Sequence, residues 1–320
     1  MAYVVLIAGL IVLVFAGDLL VRGSVSIAER LGIPTLIIGL TIVALGTSAP
    51  ELVISLDAAL SGAPGIALGN VIGSNVANIL LVLGLPSLFA ATRCDQPALT
   101  RNTLFMLGAT AVFIALAYTE PLYIWQGLVL VTLMAGFLWY SATHAIGAIS
   151  EKNGDAEPGD TAETEDDGQS LFVPIVFVIA GLIGLPFGAH LTVEGARDIA
   201  LASGMSEAAV GLTLVAVGTS LPELAATTMA AVRRESAIAV GNVIGSNIFN
   251  LLAILGITAI AAPIPISPDI LTIDIWVMAT TALAIVPFVI WKIPIGRLVG
   301  LIFIVAYAVY VITIVGHRTM

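Results

Sequence analysis

A long stretch of this chain occurs twice. Residues 39–55 read GLTIVALGTSAPELVIS and residues 211–227 read GLTLVAVGTSLPELAAT, with identity at 11 of 17 positions. Residues 69–84, GNVIGSNVANILLVLG, recur at 241–256 as GNVIGSNIFNLLAILG, with identity at 11 of 16. Both pairs share an offset of 172 residues, and about 75 residues align at that offset without a gap. The chain is therefore an internal duplication, and its fold must be built from two related halves.

The composition indicates where these halves fold. Hydrophobic residues make up 59% of the 320 residues and charged residues only 10%, which is more apolar surface than a water-soluble fold can bury. We predict an all-α integral membrane protein, with the lipid bilayer as its surroundings. Eight of the 21 acidic residues lie in one polar segment, so most of the net charge of −10 comes from that segment. Nucleic acid is not an expected partner. The single cysteine, Cys94, allows neither an intramolecular disulfide nor a thiolate metal cluster.

Ten segments are apolar enough, at about 20 residues each, to cross a bilayer. They are 3–21, 34–60, 64–85, 99–118, 122–146, 171–193, 208–231, 237–261, 271–291 and 297–315. The first has no basic region before it and is as long as a spanning helix, so we expect a span and not a cleaved signal peptide. The acid-rich segment 147–170 is predicted to be a disordered cytoplasmic linker between two five-helix repeats, 1–146 and 171–320.

The positive charges predict the orientation. With the N-terminus outside, only Arg197 and Arg318 lie outside, and nine basic residues are cytoplasmic: Arg22, Arg30, Arg93, Arg101, Lys152, Arg233, Arg234, Lys292 and Arg297. This distribution follows the positive-inside rule for a multi-pass protein of the cell membrane with both termini outside. Because each repeat holds an odd number of helices, the second enters the membrane inverted relative to the first. Inverted repeats are typical of secondary transporters, which bind substrate near the midplane between the halves.

Two carboxylates lie in the middle of predicted spans. Glu51 and Glu223 occupy identical contexts, GTSAPE and GTSLPE, and an ionisable residue at this depth predicts a functional role over a structural one. Pro50 offers no N–H to the carbonyl of Gly46, and Pro222 stands in the same relation to Gly218, so both helices should be interrupted. Residues spaced by three or four line one face of each helix: Ala44, Thr47 and Ser48 beside Glu51, and Thr219 and Ser220 beside Glu223.

The second repeated motif adds neutral oxygen atoms. Ser74 and Asn78 share one helix face, as do Ser246 and Asn250, while the glycine pairs 69/73 and 241/245 permit close helix contact. Hydroxyls, amides, carbonyls and two carboxylates suit Ca²⁺ or Na⁺ better than zinc or copper. When such a site is empty, the paired carboxylates repel and lose solvation, so they should take up another cation or a proton. That requirement is the physical basis of antiport.

These paired motifs closely resemble the two alpha repeats of the calcium/cation antiporter superfamily, in its prokaryotic sodium/calcium exchanger branch. The resemblance covers nearly the whole chain and implies exchange of Na⁺ for Ca²⁺ by alternating access, with no cofactor and no obligatory protein partner. It places Ca²⁺ between Glu51 and Glu223 with the carbonyls of Thr47 and Thr219. It also implies two flanking Na⁺ sites, which we list by their residues: Ala44, Ser48 and Ser246 in one, and Ala216, Ser220 and Ser74 in the other.

The sequence departs from the family pattern at one place and leaves alternatives open. Both Asn78 and Asn250 are asparagines, where related exchangers often carry one aspartate, so a proton-coupled antiporter remains an alternative. A passive cation channel is a further one, whereas an enzyme is not expected because the chain has no HExxH, GxSxG or CxxC motif. Asp18 and Arg22 align with His190 and Glu194 on helices that would slide past the core. For these residues we favour snorkelling toward the headgroups over a role in the moving interface.

Overall fold

The computed structural model describes residues 1–119, 121–154, 170–203 and 218–318. These residues form eleven helices. In chain order they are α1 (Ala2–Leu31), α2 (Thr35–Thr47), α3 (Ala49–Leu60), α4 (Pro64–Ser87), α5 (Leu99–Ala117), α6 (Ile124–Gly154), α7 (Phe172–Ala202), α8 (Leu221–Val232), α9 (Ser236–Ala261), α10 (Ile270–Ile290) and α11 (Arg297–Arg318). Two isolated bridges, Thr92 with Ile295 and Leu122 with Ile264, are the β-structure in the described ranges. The all-α prediction is confirmed.

Seven of these helices are individually long and apolar enough to cross a membrane, and the bent pair α2 and α3 raises the number to eight. The remaining apolar helices, Leu221–Val232 and Arg297–Thr313, are shorter. Each of the ten predicted spans overlaps at least one helix. The second half of the duplicated stretch is incomplete, because 204–217 lies outside the described residues.

Two predicted boundaries are wrong. Helix α1 was expected to end at 21 but continues to Leu31, because Asp18 and Arg22 pair one turn apart at 2.9 Å, and such pairs support a helix after its apolar run has ended. Helix α6 continues to Gly154, so the first part of the predicted linker 147–170 is helical. The predicted disorder of the remaining part, 155–169, falls outside the described residues.

Helices α4 and α9 occupy the centre of the protein. Within their most apolar 18 residues, 72% and 83% are buried, compared with 33% in both α1 and α7. The main core joins these two helices to α5, α6, α10 and α11, and a second core joins α1 and α7 to α2 and α8. The duplicated GNVIGSN motifs, which begin at Gly69 and Gly241, therefore lie on the two most enclosed helices.

Helices α1 and α7 run antiparallel and pack very closely. A Cβ on Gly23 would lie 2.6 Å from the carbonyl oxygen of Pro174, and one on Gly195 would lie 2.8 Å from that of Ala2. Only glycine permits this approach of two backbones. The two contacts are copies of each other at the 172-residue offset, because Gly23 aligns with Gly195 and Ala2 with Pro174.

Candidate cation site

Glu51 and Glu223, which occupy the same position in the two copies of the repeated motif, lie at the starts of short helices. Helix α2 ends at Thr47 and α3 begins at Ala49, with a bend of 42° between them. Ser48 at this junction has φ −86° and ψ 4°, outside the helical range, and Ser220 before α8 has nearly the same values, −85° and 1°. Pro50 and Pro222 follow in the first turn, as expected for a residue without an N–H. Glu51 and Glu223 therefore stand where the N-terminal dipole of a helix stabilises negative charge.

Both carboxylates are buried and they belong to one site. Each glutamate is 1% exposed. Ser48 Oγ, from the first half of the chain, donates a hydrogen bond of 3.0 Å to Oε1 of Glu223, from the second half. Ser48 is only three residues from Glu51 along the chain. The structure thus brings together two carboxylates that are 172 residues apart in sequence.

Hydrogen bonds between the halves continue on either side of these carboxylates. Thr47 Oγ1 donates to Oδ1 of Asn242 at 3.2 Å. Nδ2 of Asn78 donates to Oδ1 of Asn247 at 3.0 Å. Because the partners come from different halves in each case, the site is formed by the interface itself.

The asparagines and serines of the second motif surround the same region. Ser74, Ser246, Asn78 and Asn250 are all buried. A π-helical turn starts at Asn78 (Asn78–Val82), and another starts at the equivalent Asn250 (Asn250–Ile254). Single π-turns inside α-helices are frequent at functional sites because they re-aim side chains.

Several buried oxygen atoms in this region have no hydrogen-bond partner. Buried polar atoms are normally paired, and each exception requires an explanation. Seven such oxygens belong to residues that the sequence predicts as ion ligands: Glu51 Oε2, Glu223 Oε2, Thr219 Oγ1, Ser220 Oγ, Ser246 Oγ, Asn78 Oδ1 and Asn250 Oδ1. Oxygen atoms with free lone pairs, gathered around two carboxylates, are the ligands that Ca²⁺ and Na⁺ accept.

The remaining predicted residues are placed as follows. Ala44 is fully buried, and its Cβ would lie 2.6 Å from a Cβ on Gly245. The close helix contact predicted at 241/245 is therefore present, between α2 and α9. Ala216 lies outside the described residues, as does the segment that would pack against Gly69 and Gly73 in the other half.

Four asparagines of the site were missed by the sequence analysis. Nδ2 of Asn70 donates to Ser55 Oγ at 3.0 Å and to the carbonyl of Glu51 at 3.4 Å, and Asn242 repeats both contacts with Thr227 and Glu223 at 3.0 and 3.5 Å. Asn75 and Asn247 donate to the sulfur atoms of Met278 and Met106. All four belong to the duplicated GNVIGSN motif, so the repetition itself was the available signal.

The fold and the site together define an α-helical membrane protein with a buried, oxygen-rich candidate cation site between two duplicated halves. Residues 1–143 and 173–316 match the family model described as "Sodium/calcium exchanger protein". The chain belongs to this family.

Relatives match over nearly the whole chain. The putative antiporter CaxA of Alkalimonas amylolytica is 36% identical, over 97% of each protein. The sodium/calcium exchanger MaX1 of Methanosarcina acetivorans is 30% identical, over 98% of each. Among solved structures, the sodium-calcium exchanger NCX_Mj, soaked with zero Na⁺ and Ca²⁺, superposes with a TM-score of 0.82 and 32% identity, over 98% of both chains.

Proposed function

We propose that this protein is a secondary antiporter that exchanges Na⁺ for Ca²⁺ across the cell membrane by alternating access. One observation carries the proposal: two buried glutamates from opposite halves and five neighbouring predicted ligand residues each hold a buried oxygen without a hydrogen-bond partner. Two carboxylates neutralise one divalent ion, and in a buried site they cannot remain without positive charge. Calcium can therefore leave only when other cations replace it, which couples the two fluxes.

The proposed ligands are those implied by the resemblance. Glu51 and Glu223, with the carbonyls of Thr47 and Thr219, bind Ca²⁺. Ser48, Ser246 and Ala44 contribute to one Na⁺ site, and Ser220, Ser74 and Ala216 to its counterpart, with Asn78 and Asn250 between them. Support comes from the burial of every member that the structure describes and from the links Ser48 to Glu223 and Asn78 to Asn247, which tie these ligands into one cluster.

We further propose ten spans in two inverted five-helix repeats, 1–146 and 171–320, with both termini outside and 147–170 in the cytoplasm. The paired contacts support this arrangement. Thr92 bridges Ile295 while Leu122 bridges Ile264. Ile264 follows Thr92 by 172 residues and Ile295 follows Leu122 by 173, so the two bridges are equivalent contacts with their partners exchanged between the halves. A contact and its exchanged copy are what a two-fold axis produces, and the antiparallel course of the equivalent helices α1 and α7 supports an axis in the membrane plane.

The decisive experiment is radiolabelled Ca²⁺ uptake into vesicles that contain the purified protein. An outward Na⁺ gradient should drive accumulation, and an imposed pH gradient of equal size should not. Accumulation driven by the pH gradient alone would establish the proton-coupled alternative, to which the paired asparagines Asn78 and Asn250 point. Uptake that only follows the Ca²⁺ gradient and ignores internal Na⁺ would establish a channel and overturn the proposal.

A further inference from the structure

An apolar groove opens at the protein surface between α5 and α6. Its volume is about 570 Å³, within the range of ordinary small-molecule sites. Helix α6 packs mainly on the 250–261 part of α9 and touches α5 only lightly, so the two helices leave a space whose floor is α9. Twelve residues line it: Arg101, Leu104, Phe105, Gly108, Ala109, Val112, Thr132, Leu133, Gly136, Phe137, Ile248 and Leu252.

Two glycines keep this groove open. No described atom lies within 4 Å of the position that a Cβ would take on Gly108 or on Gly136. In the other half the equivalent of Gly108 is Thr280, at the offset of 172. Gly127 lies against the carbonyl of Gly256 and Gly300 against that of Gly84, so α6 and α11 correspond at an offset of 173, which makes Val309 the equivalent of Gly136. The second half therefore has side chains at both positions, so the two glycines that keep this groove open are not repeated there.

A positively charged side chain lies at one end of the groove. Arg101 lies in the first turn of α5, and its guanidinium carbon is 4.8 Å from the ring centre of Tyr140 on α6. Its Nε is buried and has no hydrogen-bond partner. From Arg101 to Val112 the groove follows α5 for roughly 16 Å, at 1.5 Å per residue. A positive charge therefore lies at one end of a long apolar groove that runs toward the middle of the bilayer.

We propose that this groove binds one anionic phospholipid, with an acyl chain between α5 and α6 and the phosphate on Arg101. The charge of Arg101 and its unpaired Nε select an anionic headgroup, because basic residues between transmembrane helices at the membrane surface bind such headgroups. Apolar side chains that line the groove are exposed at the protein surface, where lipid chains can contact them: Leu104, Phe105 and Leu133 are 62%, 38% and 41% exposed.

The bound lipid contacts the helix that forms the cation site. Ile248 follows Asn247, which accepts the hydrogen bond from Asn78. Leu252 lies in the π-turn Asn250–Ile254, which begins at Asn250. An acyl chain against Ile248 and Leu252 supports this turn from its lipid side, so occupancy stabilises the geometry of the site.

Lipid retention by the purified full-length protein tests the proposal without relying on transport. The protein is delipidated in detergent and titrated with phosphatidylglycerol or phosphatidylcholine, and bound lipid is counted by native mass spectrometry. We expect one phosphatidylglycerol to be retained in preference to phosphatidylcholine. Arg101→Gln should weaken its retention about tenfold, as for the loss of one charge-assisted hydrogen bond. Gly136→Leu should abolish retention by filling the groove.

Matched variants distinguish this site from general lipid contact. Arg297→Gln removes an exposed basic residue at the start of α11, and Val309→Leu enlarges the residue equivalent to Gly136; both should retain lipid as the wild type does. If Gly136→Leu is not monodisperse, Thr132→Leu narrows the same groove by enlarging an existing side chain. Equal retention of the two lipids, equal losses in Arg101→Gln and Arg297→Gln, or undiminished retention in the groove-filling variants would each overturn the proposal. So would a dimer that forms through this face and excludes lipid.

Discussion

The two halves share their motifs but differ in their contacts. In the first half, Ser48 binds Glu223 and Thr47 binds Asn242. Their equivalents in the second half, Ser220 and Thr219, have hydroxyls that are buried without a partner. Because the residues are the same, this difference arises from conformation and not from residue type.

A second difference lies in how α1 and α7 pack against the short helices α8 and α3. Helix α1 packs along α8, where a Cβ on Gly17 would be 3.1 Å from the carbonyl of Ala225, whereas α7 makes no comparable contact with α3 in the described ranges. Asp18 accepts hydrogen bonds from Arg233 on the far side of this contact and pairs with Arg22 at 2.9 Å. The equivalents of Asp18 and Arg233 are His190 and Ser61, which cannot form the same ion pair.

These differences are of two kinds, and they have different consequences. The unequal hydroxyl contacts involve the same residue types in both halves and fit one of the two states of an alternating-access cycle, in which the halves exchange roles. The Asp18–Arg233 ion pair has no counterpart at the equivalent positions His190 and Ser61, so it favours the state in which α1 covers α8. A symmetric scaffold can thereby prefer one direction of closure.

The largest expected effect is at the carboxylates, where the halves should be equivalent. Glu51→Gln and Glu223→Gln each remove one of the two charges that balance Ca²⁺, so we expect Na⁺-driven Ca²⁺ uptake to fall at least about a hundredfold, or about 3 kcal/mol. Asp57→Asn, an exposed acid on the same helix as Glu51, is the matched control and should transport normally. Substantial uptake in either glutamine variant would show that only one half supplies the essential charge.

The next effect concerns the ion pair that distinguishes the halves. Asp18→Asn removes the negative charge shared by Arg22 and Arg233, and a charged hydrogen bond of this kind contributes about 2 kcal/mol. We expect the contact between α1 and α8 to open more often, with faster amide deuterium exchange in Leu221–Val232 and altered Ca²⁺ uptake.

The control for this prediction is His190→Asn at the equivalent position of the other half. Its ring is 75% exposed and lies 3.9 Å from Glu194 within the same helix, so exchange should not change. Equal protection of Leu221–Val232 in wild type and Asp18→Asn would mean that the ion pair does not hold the helices together.

A smaller difference is expected between the two asparagines behind the carboxylates. Asn242 is fully buried, binds Thr227 and the Glu223 carbonyl, and also accepts a hydrogen bond from Thr47. Asn70 is half-buried and, among the described residues, makes only the equivalents of the first two contacts, with Ser55 and the Glu51 carbonyl. Asn242→Ala should therefore lower stability by about 1 kcal/mol more than Asn70→Ala. Thermal unfolding in detergent measures both variants, and equal melting temperatures would indicate that the Thr47 contact is not maintained.

The sequence predicted the fold and the site where physical constraints were local or repeated. Pro50 and Pro222 interrupt their helices for a covalent reason, so these breaks could be located without a structure. The duplicated motifs pointed to Glu51 and Glu223, and both are buried in one region. The ligand roles of these residues stay predictions.

What could not be predicted depends on partners that are distant in sequence. For Asp18 we favoured snorkelling toward the headgroups, and its partner could not be foreseen, because Arg233, 215 residues further along the chain, pairs with it at the α1–α8 contact. The end of α1 was misplaced for a related reason, since hydropathy marks where apolar sequence stops and not where a helix stops. Asn70 and Asn242 were overlooked because their contacts with Glu51 and Glu223 cross between helices.

The smallest prediction concerns a group that only the second half carries. Glu235 follows α8, near the Asp18 ion pair, and its equivalent is Ala63. Burial raises the pKa of Glu235, and the negative charge of Glu29 raises it further, although Arg233 opposes both. Because the folded protein holds this proton more tightly than the unfolded chain, the contribution of Glu235 to stability is complete below the ordinary glutamate pKa. It is lost as the pH rises through the higher folded pKa.

Glu235→Gln should therefore raise the melting temperature slightly at neutral pH and leave it unchanged at pH values below the ordinary glutamate range. Glu29→Gln removes one of the two causes and should give part of the same gain, since desolvation of Glu235 remains. Thermal unfolding of the three proteins across that pH range provides the measurement. A gain in Glu235→Gln that persists unchanged in acid would show that it comes from packing and not from the carboxyl proton.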